Sequence, residues 1–511
     1  MKLKCIACLV ILSFVVSTIS QTVQPQFPVK REESAETWRR DGQAAIEARK
    51  NQKIYKGKAK NVILFVGDGM GITTLTAARI LEGQLRGASG EENRLSFEEF
   101  PFSALSKTYS TNQQTSDSAP TMTAIITGVK TDEGILSVNQ NVVRGDYKTV
   151  KGNETTTLLE MAEMNGKSTG IVSTARLTHA TPGACFAHTA DRDWEADADI
   201  SLRSKEAFDA KFPDIARQLI EFPFGDGLEV AIGGGRTKFL PRESNDPEYS
   251  DVKGERLDGR NLTEEWKSKY KNSDYIWNKA QFDAIDAKKT KHLLGLFEPS
   301  HLKYEYDRPK DKAGEPSLSE MTAKAIDVVS NNKKGYFLMV EGGRIDHAHH
   351  NGNAFRALTD TIELSNAVRT AMSKVNLKDT LIIVTADHSH TFIMGGYPIR
   401  GNNILGLTQE VDGKGMLEEK PANDSNGKPY TTLGYGNGKG YRKGTRPDLT
   451  EEQVTNPDYK QEAAIPLLDE THGGEDVAIF ATGANAHLVS GVMEQNWIFF
   501  VMQDALRLKK Q

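Results

Sequence analysis

The hydrophobic positions fall into a repeated pattern. A short, unbroken apolar run ends in acidic, polar or glycine residues, and a longer mixed segment of helical length follows. The runs are Asn61-Val-Ile-Leu-Phe-Val-Gly-Asp68, Gly170-Ile-Val-Ser-Thr, Leu228-Glu-Val-Ala-Ile-Gly-Gly-Gly, Tyr336-Phe-Leu-Met-Val-Glu341, Leu381-Ile-Ile-Val-Thr-Ala-Asp387 and Val477-Ala-Ile-Phe-Ala-Thr-Gly. A strand with one wet face alternates apolar and polar side chains, so continuous runs predict strands covered on both faces. Separated by helical segments, they predict an α/β fold: a large, mostly parallel central sheet flanked by helices on both faces. In such sheets ligands gather beyond the carboxyl ends of the strands, where Asp68, Glu341 and Asp387 stand.

Two stretches break the pattern. Residues about 240–290 are polar with Trp and Tyr, which predicts an inserted surface subdomain reaching to about 315. Residues 397–462 are rich in Gly, Asn and Lys (Gly434-Tyr-Gly-Asn-Gly-Lys-Gly) with little apolar periodicity, as expected of an irregular rim or contact insertion. Residues 1–20 read as a signal peptide: Lys2 and Lys4, an apolar run over residues 5–16, then Ser17, Thr18 and Ser20. That run is short for a membrane span, which needs about 20 apolar residues. The expected organisation is therefore a signal peptide (1–20), an α/β core (21–396, with the inserted subdomain at about 240–315), an insertion (397–462) and a return to the core (463–511). We find no internal repeat.

Composition narrows the function classes. Among 511 residues, 38% are hydrophobic and 26% charged, which excludes a disordered polyelectrolyte and a polytopic membrane protein. The formal charge of −5 gives no bulk reason to expect nucleic acid, so anion chemistry must come from a local site. Cys5 and Cys8 lie in the signal segment, which leaves Cys185 alone and unable to form an internal disulfide. Sequons at Asn153, Asn261 and Asn423 suit a secreted protein. The end Arg507-Leu508-Lys509-Lys510-Gln511 is not the hydrophobic tail of a lipid-anchor signal. These features predict a secreted, soluble protein.

Metal-ligand residue types sit at the strand ends. Gly67-Asp68-Gly69-Met70-Gly71 puts a carboxylate in a glycine turn; it lacks the GxGxxG spacing, and a bare Asp would repel a pyrophosphate. In Glu341-Gly-Gly-Arg-Ile-Asp346-His347-Ala-His349-His350, the four-residue spacing of Asp346 and His350 puts both on one helix face. Taken alone, such a cluster could equally be a solvated charged turn. Asp387-His388-Ser389-His390 follows another apolar run, and His472 precedes one. Mixed His and carboxylate ligands without Cys suit Zn²⁺ in an open catalytic site, and two such ions together suit phosphoryl transfer.

Thr115-Ser-Asp117-Ser118-Ala-Pro120-Thr-Met-Thr-Ala-Ile-Ile-Thr-Gly128 reads as a loop opening a helix, with Pro120 in its first turn and Gly128 stopping it. Ser or Asp here serves at least as an N-cap. The functional reading makes Ser118 a nucleophile at a helix N-terminus, where negative charge is favoured. Arg192, flanked by acids in Asp191-Arg192-Asp193, is either a surface ion pair or a bidentate phosphate clamp.

These motifs resemble those of animal alkaline phosphatases, through residues 61–71, 108–134, 179–199, 295–304, 335–401 and 470–495. The resemblance implies a homodimer holding two Zn²⁺ and one Mg²⁺ per subunit, and phosphate monoester hydrolysis of broad specificity through a phosphoserine with an alkaline optimum. By motif, it gives the first zinc Asp346, His350 and His472, and the second Asp68, Asp387, His388 and Ser118. The magnesium would take Asp68, Thr181 and Glu341, the phosphate Arg192, and His179 and His347 would stand behind the ligands. It further implies a calcium ion on Glu248, the Phe297 carbonyl and Glu298, with Glu315 nearest the usual fourth ligand. Tyr397 would reach towards the partner subunit's site, and residues 397–462 would form the family's crown. The rivals are a diesterase or sulfatase on the same metal plan, and a silent binding protein in which the full ligand set would be dispensable.

Overall fold

A computed structural model describes residues 33–418 and 420–509; the predicted signal peptide, with Cys5 and Cys8, lies outside them. Eight strands appear first along the chain: β1 (Asn61–Gly67), β2 (Phe102–Lys107), β3 (Ser168–Arg176), β4 (Val230–Gly234), β5 (Ser273–Ile276), β6 (His292–Leu296), β7 (Tyr336–Gly342) and β8 (Thr380–Ala386). With Val477–Gly483 and Gly491–Glu494 they form one ten-stranded sheet. Its order runs Gly491–Glu494, β2, Val477–Gly483, β8, β1, β7, β3, β4, β6, β5. From β8 to β5 every neighbour is parallel, whereas Val477–Gly483 runs antiparallel to β8 and β2.

Strand β1 shows why the apolar runs are unbroken. Val62, Leu64 and Val66 pack into one hydrophobic core, while Ile63 and Phe65 pack into another on the opposite face. Helices Ser118–Thr127, Leu158–Met164 and Trp497–Leu506 cover the first face. Helices Ile72–Leu85, Leu318–Val329 and Ala354–Lys374 cover the second. Each fully buried aliphatic or aromatic side chain contributes about 1.5–3 kcal/mol. A Phe65→Ala change in the middle strand would cost about 3–5 kcal/mol.

All six apolar runs lie in this sheet. Most strands that the pattern did not predict are at its margins, where the rule of two covered faces lapses; β6, buried throughout, is the exception. Alternate residues of β2 are exposed, and β5 is only partly buried. The polar stretch at 240–290 thus supplies β5 to the sheet edge rather than standing wholly outside it, and β6 follows directly. Residues 397–462 are largely irregular. Their strand Leu433–Gly438 pairs with Phe392–Met394 and Ala463–Pro466 in a separate three-stranded sheet.

Candidate active site

Side chains with metal-ligand chemistry cluster at the carboxyl end of the parallel strands. Asp68 follows β1, Glu341 is the penultimate residue of β7, and Asp387 and His388 follow β8. The helix Arg344–His350 carries Asp346 and His350, and the short helix Ala180–Gly183 after β3 carries Thr181. The turn after Asp68 requires glycine: Gly69 has φ +67°, and a Cβ there would lie 2.3 Å from His390 Nε2. Its N–H donates to Asp387 Oδ1 at 3.0 Å, tying the β1 and β8 loops together.

The first group comprises Asp346, His350, His390 and His472, whose donor atoms lie within 4.8 Å of one another. His350 Nδ1 contacts the Glu470 carbonyl at 2.5 Å and His472 Nδ1 the Ser116 carbonyl at 2.7 Å. Carbonyls only accept, so both Nδ1 atoms carry the proton and both Nε2 atoms present lone pairs. Those Nε2 atoms face each other at 3.1 Å, and Asp346 Oδ1 lies 3.3 and 3.4 Å from them. Acceptors converging in this way fit a divalent cation of the zinc type.

A second group joins Asp68, Asp346 and His388. Ser118 Oγ lies 3.1 Å from His388 Nε2 and 3.4 Å from Asp68 Oδ1, and Asp387 Oδ2 is 3.4 Å from the same Nε2. Burial, then Asp387, Asp346 and Glu341, push the Asp68 carboxyl well above its ordinary value. Packed carboxylates of this kind are stable as anions only beside positive charge.

A third group has a different signature. Asp68 Oδ2, Thr181 Oγ1 and Glu341 Oε1 are all buried without a hydrogen-bond partner. Buried polar atoms are normally satisfied, and three bare oxygens on the expected magnesium ligands fit a hard, oxygen-seeking cation. Glu341 bonds Ser173 through its other oxygen, and burial followed by Asp387 pushes its carboxyl to about 7. His179 belongs with Asp68 and Glu341 in the grouping of possible donors.

Ser118 is the first residue of the helix Ser118–Thr127, which is capped by Asp117 and closed by Gly128 at φ +77°. Asp117 also receives Arg192 Nη1 at 2.8 Å, while Arg192 Nη2 donates to His179 Nε2 at 3.0 Å. The guanidinium is therefore fixed from two sides beside the serine's helix. The His347 ring lies 5.4 Å from that of His179, and its Nδ1 receives Arg344.

The remaining expected residues lie elsewhere. Glu248 and Glu298 meet the carboxylate of Asp311, not that of Glu315. Glu315 Oε1 is taken by the Lys303 N–H at 2.8 Å, while its Oε2 is buried without a partner, as are Glu248 Oε1 and Asp311 Oδ2. Asn153 donates its amide to the Thr149 carbonyl, Asn261 caps the helix Leu262–Lys269, and Asn423 is exposed. Tyr397 is 87% exposed.

Sequence reasoning missed several participants. His390, adjacent to a chosen ligand, contacts Asp346 Oδ1 at 2.8 Å and Glu470 Oε2 at 2.5 Å, and the flanking carboxylates raise it to about 9 against the effect of burial. Its place in Asp387-His388-Ser389-His390 was the available signal. Asp117 was weighed only as a cap, and His301, 4.0 Å from the His347 ring, lay within the resembling stretch 295–304 but was given no role.

This constellation can be compared with known proteins. The model of the family described as alkaline phosphatase matches residues 59–508. The chain belongs to the alkaline phosphatase family. It is 45% identical over 501 residues to the tissue-nonspecific alkaline phosphatase of Rattus norvegicus, covering 96% of this chain and 92% of that one. It is 46% identical over 455 residues to the alkaline phosphatase of Gadus morhua, covering 88% and 91%. Among solved structures, the Thermus thermophilus alkaline phosphatase matches with a TM-score of 0.62 at 23% identity, over 91% of this chain and 94% of that one. The enzyme of the Antarctic bacterium TAB5 gives 0.59 at 20%, over 89% and 100%. These two share the fold. The protein is accordingly a phosphatase acting on phosphate monoesters, with a metal-dependent site.

Proposed function

We propose that this alkaline phosphatase hydrolyses a broad range of phosphate monoesters through a phosphoseryl intermediate on Ser118, in a site that takes two Zn²⁺ and one Mg²⁺. The observation that carries this reading is the convergence of Nε2 lone pairs and bare carboxylate oxygens around one helix-terminal hydroxyl. The first zinc would be held by Asp346, His350 and His472, and the second by Asp68, Asp387, His388 and Ser118. Asp68, Thr181 and Glu341 would hold the Mg²⁺. When bound, these ions supply the positive charge that lowers the pKa of coordinated oxygens and stabilises charge on attacking and leaving oxygens.

The chain's own groups do the positioning. Arg192, braced by Asp117 and His179, presents its fork to two non-bridging oxygens and turns phosphorus towards Ser118. Ser118 Oγ lies 3.1 Å from His388 Nε2; with that lone pair committed to a bound cation, His388 would not act as the base and the hydroxyl proton would pass to solvent. Oγ then forms a bond to phosphorus as the ester P–O bond breaks, and the released alkoxide takes a proton from water. Water cleaves the Ser118–phosphorus bond in the second half, and Ser118 regains a proton. The helix N-terminus favours the anion throughout. Because contacts centre on the phosphoryl group, the alcohol is weakly selected.

The same reading includes a Ca²⁺ on Glu248, Glu298, Asp311 and the Phe297 carbonyl; the unpartnered Glu248 Oε1 and Asp311 Oδ2 support it. A homodimer is supported by exposed apolar side chains, Ile393, Tyr397, Ile465 and Leu468 among them, and by the helix Ala35–Lys50, which has no buried residue. We place the protein outside the cell on its signal-like residues 1–20 and its sequons. Among the described residues, no helix is long and apolar enough to cross a membrane.

Replacing Ser118 with Ala tests the nucleophile. Monoesterase turnover should fall by about 10³-fold or more, with zinc content retained and no phosphoserine trapped on acid quenching. Undiminished turnover overturns the assignment, and a preference for diesters or sulfate esters overturns the substrate class.

A further inference from the structure

The amino ends of the parallel strands form a second pole, opposite the active site. Lys56, Lys58 and Lys60 precede β1, Lys333 and Lys334 precede β7, and Lys378 precedes β8. All are exposed, and among the described residues none of these ammonium groups has a hydrogen-bond or ion-pair partner. Their loops are in contact. The Lys60 N–H donates to the Asp379 carbonyl at 2.6 Å, and Lys167 Nζ bridges the carbonyls of Lys60 and Lys334 at 2.8 and 2.7 Å. Lys167 is itself buried, and burial followed by Lys58 and Lys60 brings it down to about 8. Of the nearby acids, Asp379 belongs to these loops, and burial pushes Glu163 up to about 9 and Glu229 to about 7, with Asp226 beside them. A chain of net charge −5 thus gathers six exposed lysines without ion-pair partners, among the described residues, at one pole. Loops tied together this closely act jointly over a screening length of about 8 Å.

We propose that this pole binds a sulfated polysaccharide. A polyanion bearing phosphate monoesters would be consumed by the other end of the molecule, whereas sulfate esters persist there. Anionic lipid is concentrated on the cytoplasmic leaflet, so the choice of a sulfated glycan over a membrane rests on the extracellular reading above. Seven-residue strands separate the two poles by about 23 Å, and a protein held by its lysines keeps its active site turned to solution.

The test uses the purified, metal-loaded full chain on immobilised heparin. Retention at about 0.15 M NaCl is expected, with elution at lower salt for the K58Q/K60Q/K333Q/K334Q variant. The slope of log Kd against log salt should shrink by about one per lysine removed. The matching Lys→Arg variant should be retained like the parent, and all three should hydrolyse monoesters equally. Passage of the parent unretained, or equal elution of the Gln variant, overturns the proposal. Tighter, lysine-dependent binding to phosphatidylserine vesicles or duplex DNA overturns the choice of polysaccharide. Heparin retention is read independently of turnover, so failure here leaves the phosphatase reading intact, and the converse holds.

Discussion

Both ends of the parallel sheet bury carboxylates, and they differ in what those carboxylates face. At the carboxyl end, Asp68, Glu341, Asp346 and Asp387 are clustered, with free lone pairs converging on shared points. At the amino end, Glu163 and Glu229 are buried under exposed lysines; each accepts from a neutral donor, with Glu163 Oε2 alone left bare. Thr169 Oγ1 donates to Glu163 at 2.6 Å, and Ser168 Oγ donates to Glu229 at 2.8 Å. One end answers its buried charge by the capacity to bind cations, the other by holding protons. Burial and a raised pKa are common to both, so neither alone marks a site; convergence of unsatisfied acceptors does.

Metal removal should separate the two ends most sharply. Dialysis against a chelator is expected to abolish turnover. It should also lower unfolding stability by about 4 kcal/mol per site held at a thousandfold excess over Kd, read by urea titration with and without zinc. Asp346→Asn should weaken zinc retention in equilibrium dialysis by about 10–100-fold or more while leaving the amino end unaffected. Unchanged stability after complete metal loss would break the contrast, because the clustered carboxylates would then be tolerated as they stand.

A smaller effect is expected at Arg192. Lysine keeps the charge but not the planar fork braced by Asp117 and His179, so Arg192→Lys should lower kcat/KM by about 10–100-fold, mainly through KM for the phosphoryl group. Zinc content should not change. A drop in kcat alone would show that the guanidinium acts on the transition state and not in holding the substrate.

Much of this was legible in the sequence because the fold requires it locally. Strands buried on both faces cannot alternate, so β1, β7 and β8 announce themselves, and their carboxyl ends locate Asp68, Glu341 and Asp387. The edges were illegible for the converse reason: β2 has an exposed face and so shows no unbroken apolar run. Asp346 and His350 were readable from helical spacing. Asp311 was not, since its partner Glu248 is distant in the chain and only tertiary packing joins them; for His390 the motif gave its place but not its distant partner Glu470. The lysine pole was hidden in the same way: each loop holds only one to three lysines, and parallel topology collects them.

The most modest prediction concerns the amino end. Burial, then Glu229, raises the Glu163 carboxyl from 4.5 to about 9. A group whose pKa is higher folded than unfolded contributes stability below its unfolded pKa and loses that contribution as pH climbs to the folded value. Wild-type stability should therefore decline between about pH 4.5 and 9 on this account. Glu163→Gln keeps an oxygen for Thr169 and cannot ionise. Urea unfolding should give nearly equal stabilities at pH 5, and the variant should be more stable by about 1–3 kcal/mol at pH 9, with kcat/KM unchanged. A difference that does not vary with pH would mean that Glu163 is ionised throughout, and the amino end would then need a counter-cation of its own. If the difference grows with pH as expected, the alkaline range that favours the hydroxyl chemistry of one end is the range in which the other end gives up stability.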